Sequence, residues 1–199
     1  MTQDKEVLYT YKVVILGGGG VGKTCLFNRF CFNSFDFATE LTIGVNFHST
    51  YINIKLENKE YESIFNCEPY IVDSIFDFGG QPRFKPLIPK FIKGTDGAFL
   101  VFDSVSYASF QQLDYWYELL TDTVKKNIPI LLIGSKSDLL TQTPKMEIVR
   151  DDLIYDFVEE KNIQGFYRTS ALENYNVLKV FKKINQLMLE QNEVEAIVV

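Results

Sequence analysis

Eight consecutive residues, Gly17-Gly18-Gly19-Gly20-Val21-Gly22-Lys23-Thr24, match the pattern G-x-x-x-x-G-K-[ST]. The chemistry this spacing serves is the capture of a polyphosphate. Glycines let the backbone approach the phosphates closely and turn its N–H groups toward them. A helix that starts at the lysine adds the partial positive charge of its N-terminus. Lys23 would reach the terminal phosphates, and the Thr24 hydroxyl would ligate a Mg²⁺ ion bound with them. From average residue usage, the pattern arises by chance in roughly one chain in a hundred of this length.

Such a loop works only between a strand that ends at its first glycine and a helix that begins at its lysine. Tyr11 to Leu16 (YKVVIL) is a short β-rich run ending on glycine, and Lys23 to Phe32 reads as a helix. Phe47 to Leu56 alternates apolar and polar residues, as a half-exposed strand does. Tyr70 to Phe76 reads as the next strand, and these two could form an antiparallel pair at a sheet edge. The residues between them, 57–69, exceed the length of an ordinary hairpin loop and carry no legible motif. Gly97 to Phe102 and Ile128 to Ile133 are continuous apolar runs, as expected of buried parallel strands. Ser109 to Lys126, Glu147 to Lys161 and Asn174 to Gln191 read as helices, and Gly165 to Thr169 as a short strand. The alternation predicts an α/β fold with about six mostly parallel strands flanked by helices.

The whole chain is consistent with one such domain. It has 199 residues, 46% of them hydrophobic and 15% aromatic, enough for a single core. A formal charge of -6 argues against a nucleic-acid binder, which carries a basic patch or stripe. An acidic chain that holds a polyanion must do so locally, with backbone N–H groups, a lysine and a metal. The three cysteines, Cys25, Cys31 and Cys67, are odd in number and lack CxxC spacing. They suggest neither a disulfide framework nor a zinc site. Free thiols suit a reducing cytoplasm, and no signal peptide or membrane-spanning run is seen.

The phosphate loop does not choose a base, but the segments after it do. GGGGVGKTCLFNRF, TIGVNF, DFGGQPRF, GSKSD and TSALEN follow one another across about residues 8–190. This order resembles the Ras superfamily of small GTPases, and TIGVNF and TSALEN look most like its Rab branch. The resemblance implies a P-loop domain of the small-GTPase type over residues 1–191, a short tail over 192–199, and binding of GTP or GDP with Mg²⁺. Phosphate contacts would come from Gly17, Gly19, Gly20, Val21, Gly22, Lys23, Thr24 and Cys25. Thr42 of the first switch would ligate Mg²⁺ together with Thr24, and Asp77 would hold it through water. Gly80 would offer its N–H to the γ-phosphate, and Gln81 would orient the attacking water. Phe35 falls where the family flanks the guanine with an aromatic ring; a core phenylalanine is nearly as good a reading.

Base recognition would come from Ser135, Lys136 and Asp138, and from Ser170, Ala171 and Leu172. Asp138 would accept from the guanine ring N–H and amine, a donor pair that adenine lacks. Lys136 would lay its stem along the base, and the Ala171 N–H would meet O6. Several positions depart from the family pattern. Ser135 replaces asparagine, which is expected to weaken guanine binding without changing the base. Leu172 replaces lysine. DFGGQPRF replaces DTAGQE, and Pro82, Pro86 and Pro89 are expected to interrupt or redirect the second-switch helix. Asp77-Phe78-Gly79 spells a kinase motif, but the partner catalytic loop H-R-D-L-x-x-x-N is absent.

No arginine finger is visible in cis, since Arg83 reads as a surface residue. Intrinsic hydrolysis is therefore expected to be slow, with an activating protein inserting charge past Gly19 and Gly20. Phe47, Phe76 and Phe91 match the aromatic triad through which Rab proteins meet effectors; three core phenylalanines is an equal alternative. Exchange factors and effectors would bind the two switches of a monomer. The tail NEVEAIVV has no cysteine for a prenyl anchor and is expected to fray. His48 is expected on a strand face, and Met146 and Met188 in helix packing. Two rivals stay open: a GTP-binding module that hydrolyses little, and a metabolite kinase with a second substrate site.

Overall fold

The computed structural model describes residues 5–36, 42–57, 68–80 and 86–199. The loop carrying Gln81, Pro82 and Arg83 lies outside them, as does most of the connection after Leu56. Among the described residues, seven strands form one sheet: β1 Lys5–Gly17, β2 Val45–Leu56, β3 Glu68–Phe78, β4 Gly97–Asp103, β5 Ile130–Ser135, β6 Phe166–Arg168 and β7 Ala196–Val198. The helices are α1 Lys23–Phe32, α2 Ile88–Ile92, α3 Tyr107–Gln111, α4 Leu113–Val124, α5 Asp151–Glu160 and α6 Val177–Gln191. Sheet order is β6-β5-β4-β1-β3-β2-β7. β6, β5, β4, β1 and β3 are parallel neighbours, whereas β2 pairs antiparallel with β3, Phe47 opposite Phe76.

The continuous apolar runs are explained by helices on both faces. Along β1, Val13 and Ile15 point to one layer, where α1 supplies Leu26 and Phe27 and α6 supplies Val180, Phe181 and Ile184. Val14 and Leu16 point to the other, against Ile88 and Ile92 of α2, Trp116 and Leu120 of α4, and Ile154 of α5. A strand buried on both sides cannot alternate with polar residues. β2 has solvent on one face and keeps the alternation.

Element boundaries moved where polar groups found partners. The helix expected over 109–126 is two, because the chain turns at Gln112, and Ser106 caps the first by accepting from the Ser109 N–H. The helix expected from Glu147 begins at Asp151. Val149 instead donates its N–H to the Ser104 carbonyl at 3.0 Å and enters the core. Met188 packs in the core on the other face of the sheet, but Met146, in the turn before α5, is 91% exposed. Pro89 does not break a helix: it sits in the first turn of α2, where a missing N–H is tolerated.

The tail is the largest correction. It does not fray: Ala196–Val198 add a seventh strand, antiparallel to Ile54–Leu56 of β2. Ala196 and Val198 are buried beside Ile54 and Leu56. Gln186 of α6 holds the strand twice, donating to the Ala196 carbonyl at 3.0 Å and accepting from the Val198 N–H at 3.1 Å.

One buried polar pair ties α6 to the sheet. Asn185 donates to Asp73 Oδ2 at 2.6 Å and to the Phe181 carbonyl at 2.9 Å. Asp73 Oδ1 and Asn185 Oδ1 are both buried without a partner among the described residues. Two orphan acceptors call for one more proton, and burial pushes the Asp73 carboxyl up to about 7 against the pull of the Asn185 hydrogen bond.

Two outcomes follow for stability. Asp73 keeps its proton to a higher pH when folded than when unfolded. Its contribution is therefore complete below about pH 4 and is lost as pH rises through about 7. Asp73→Asn is expected to flatten the pH dependence of the urea midpoint between those values; an unchanged slope would show that Asp73 is not its source. Gln186→Ala should cost about 1–2 kcal/mol and expose the Val198 amide to hydrogen exchange, whereas continued protection of that amide would mean β7 is held by the β2 ladder alone.

Candidate nucleotide site

The loops that follow β1, β3, β4, β5 and β6 meet at the carboxyl ends of these parallel strands. The chain continues to opposite sides of β1, to β3 and to β4, so the crevice opens at a switch point of the sheet. There a cleft of about 410 Å³ is lined by Gly19, Gly20, Gly22, Lys23, Thr24, Cys25, Phe35, Thr42, Gly80, Ser135, Lys136, Asp138, Ala171 and Leu172, among others. Its volume lies within the usual range for small-molecule sites. Residues separated by more than 150 positions in the chain thus share one cleft.

Besides Asp77, three residues singled out in the sequence stand behind this wall. Gly17 ends β1, Val21 is a core residue, and Ser170 is fully buried. Each works through a hydrogen bond. Lys23 donates from Nζ to the Gly17 carbonyl at 2.9 Å and to the Gly18 carbonyl at 2.6 Å. Ser135 hydrogen-bonds the Val21 carbonyl and lies 2.9 Å from the Phe102 carbonyl. Ser170 donates to Asp138 Oδ1 at 2.5 Å and accepts from the Glu173 N–H at 3.0 Å. Ser135 is therefore a tether between the phosphate loop and the ends of β4 and β5.

Backbone geometry explains two glycines. Gly22, just before α1, has φ of +93°, a left-handed conformation that a Cβ would strain. Gly80 lies so close to the phosphate loop that an added Cβ would fall 2.4 Å from the Gly18 carbonyl and 2.5 Å from the Gly19 nitrogen. The loop after β3 is thereby pressed onto the loop after β1, and Gln81, the next residue, begins the part outside the described residues.

The cleft is electrostatically set for an anion with a cation beside it. Burial lowers the Lys23 ammonium to about 8, and the neighbouring Asp77 carboxylate pulls it back upward. Burial raises the Asp77 carboxyl, opposed by hydrogen bonds from Thr24 and Asn46 and by the charge of Lys23. Three oxygens converge: Thr24 Oγ1 donates to Asp77 Oδ2 at 2.7 Å and lies 2.5 Å from Thr42 Oγ1. Asn46 donates to the same Asp77 oxygen at 3.2 Å, and Asp77 Oδ1 is buried without a partner among the described residues. An oxygen-only donor set with an unsatisfied carboxylate oxygen fits a hard divalent cation such as Mg²⁺. That ion uses one or two carboxylates and takes its other ligands from water and phosphate. Among the described residues no cluster of three His, Cys, Asp or Glu side chains could hold a metal by itself.

At the other end, Lys136 adopts a left-handed conformation, φ 56°, and its ammonium pairs with Asp103 at 2.8 Å. Its Cε would lie 3.9 Å from a Cβ built on Gly22, so its stem runs along the loop that starts α1. Phe35 is half-buried at the cleft wall and outside both core clusters. Phe78 also borders the cleft, but its ring is buried in the core and packed near Phe76 and Phe91, so the departure at this position serves the core. Phe47 and Phe91 are 57% and 42% exposed, which removes the reading of these as core phenylalanines; with half-buried Phe76 they form an aromatic face beside the cleft. His48 lies on β2 against the Phe32 ring.

Sequence reading missed Asn46, Asp103 and Arg29. Asn46 was inside a quoted motif, but its role appears only when β2 brings it opposite Asp77. Asp103 ends β4 beside Ser135, a neighbour in the sheet and not in the chain. Arg29 donates to the Ala171 carbonyl across 142 positions.

Comparison with known proteins agrees with this geometry. The Ras family profile matches residues 12–190. The chain is 33% identical over 181 residues to Ras-related protein YPTC6 of Chlamydomonas reinhardtii, covering 91% of this chain and 76% of that protein. The profile spans the phosphate loop, strands β2 to β6 and both base-end loops, and the chain belongs to the Ras superfamily of small GTPases, close to its Rab branch.

Proposed function

We propose that this protein is a Mg²⁺-dependent GTP/GDP switch with slow intrinsic hydrolysis, acting in signalling or trafficking through effectors bound in the GTP state. The observation that carries the reading is the convergence of Thr24, Thr42 and Asp77 oxygens beside a lysine buried on the phosphate loop. A polyphosphate would be held by the N–H groups of residues 19–25 and by Lys23. Thr24, Thr42 and Asp77 would hold Mg²⁺, which when bound neutralises charge that develops on the phosphates. Thr42 belongs to the first switch and Gly80 to the second, so both loops would be fastened by the γ-phosphate end and released when it leaves.

Gln81 would orient the attacking water. Its support is its place directly after Gly80, which packs on Gly18 and Gly19. The flank of the loop at Gly20 is open, with nothing within 4 Å of an added Cβ, which suits insertion of a partner's arginine. Asp138, steadied by Ser170, would read the guanine edge, with the Ala171 N–H at O6. The exposed rings of Phe47 and Phe91 would meet effectors, and exchange factors would engage the switches. The protein would act as a monomer in the cytoplasm; among the described residues no helix is long and apolar enough to cross a membrane.

The test is nucleotide content followed by single-turnover phosphate release. Denatured protein should yield GDP, and added GTP with Mg²⁺ should release phosphate slowly. Gln81→Leu should reduce that rate by roughly tenfold or more and leave GTP affinity intact. GTP that persists through long incubation of the unaltered protein would identify a binding module instead, and adenine nucleotide in the purified protein would overturn the assignment of Asp138.

A further inference from the structure

We propose that Arg29 is a positioning residue for base recognition, holding the Ser170–Leu172 loop at the base end of the cleft; this rests on the reading of the cleft as a guanine-nucleotide site. Arg29 lies on α1, six residues beyond Lys23. Its Nε donates to the Ala171 carbonyl at 2.7 Å, and Nη2 donates to the Leu172 carbonyl at 3.3 Å. Nη1 donates to the carbonyl of Asn33, the residue that caps α1, at 3.1 Å, and to its side-chain oxygen at 3.3 Å. No carboxylate pairs with Arg29 among the described residues. The planar guanidinium thus directs its donors to the Ala171 and Leu172 carbonyls and to Asn33, two segments that its fixed fork reaches together.

The loop needs such a hold. Residues 171–174 are a turn, fastened to the rest of their own region by the Ser170–Tyr175 bridge. The Ala171 carbonyl is taken by Arg29, while its N–H makes no hydrogen bond among the described residues and belongs to a residue lining the cleft. The Tyr175 N–H holds the Ser170 carbonyl at 2.9 Å and so orients the 170–171 peptide that carries the Ala171 N–H. Arg29 holds the next two peptides through the Ala171 and Leu172 carbonyls and thereby sets where that N–H stands relative to α1. Hydrogen bonds from a charged donor are roughly twice as strong as neutral ones, which suits a loop with few other ties. Since α1 also carries Lys23, Thr24 and Cys25 in its first turn, one rigid helix would set the distance from the phosphate end to the base end.

The experiment measures dissociation constants of GDP and 6-thio-GDP for the unaltered protein, Arg29→Ala and Arg29→Lys. Sulfur at position 6 is a poorer acceptor than oxygen, so the ratio of the two constants reports the bond from the 171 N–H. Arg29→Ala is expected to weaken GDP by about tenfold, and 6-thio-GDP by much less, collapsing the ratio. Arg29→Lys, which keeps the charge and one donor position, should fall between and decides the matter if the alanine variant does not fold. Equal weakening of both nucleotides would show a general loosening of the fold and overturn the proposal, as would unchanged GDP affinity. An unaltered protein with no preference for GDP over ADP would overturn the underlying site reading as well, and is recognised before any variant is compared.

Discussion

Packing backbone against backbone around the phosphate loop is the constraint from which the rest of the structure follows. A run of N–H groups can face a polyanion only if no side chain stands between the loop and its neighbours. The loop after β3 presses Gly80 onto Gly18 and Gly19 at a distance that excludes a Cβ. Lys23 folds over the loop onto the Gly17 and Gly18 carbonyls, and Ser135 holds the Val21 carbonyl from the side. Strands β1, β3, β4 and β5 must therefore end at one level, which their parallel register and apolar faces ensure.

Polar ties behind the cleft do what the apolar core cannot. Hydrophobic burial is non-directional, so it sets the distance between layers but not the orientation of a loop. Orientation comes from hydrogen bonds with one geometry: Ser170 on Asp138, Asn46 on Asp77, and Arg29 on Ala171 and Leu172. The Asp73–Asn185 pair is a similar device away from the cleft. It fixes α6 against β3 where a purely apolar contact would allow sliding.

The two sides of the β2–β3 ribbon divide the work. One face carries Phe47 and Phe76, partly open to solvent. At the far end of β2, the ladder is completed by β7, whose alternate residues enter the core while Ile197 stays exposed. An edge strand with free N–H groups invites unwanted pairing, and β7 covers Ile54–Leu56 with part of the chain itself. The apolar tail NEVEAIVV is explained as a strand that needed a sheet edge brought to it.

What the sequence by itself determined are the features whose signal is local. The phosphate loop was legible because its glycines, lysine and threonine must be consecutive. The parallel strands were legible because burial on both faces demands an unbroken apolar run. Their order in the sheet, the break at Gln112 and the late start of α5 were not, since each depends on a partner distant in the chain. The same division holds in the site. Lys23, Thr24, Asp77 and Asp138 could be named from motifs, whereas the tether made by Ser135, the strut made by Arg29 and the seventh strand required the folded chain. A hydrogen bond across more than 100 residues leaves no periodicity or spacing in the sequence; only tertiary packing brings donor and acceptor together.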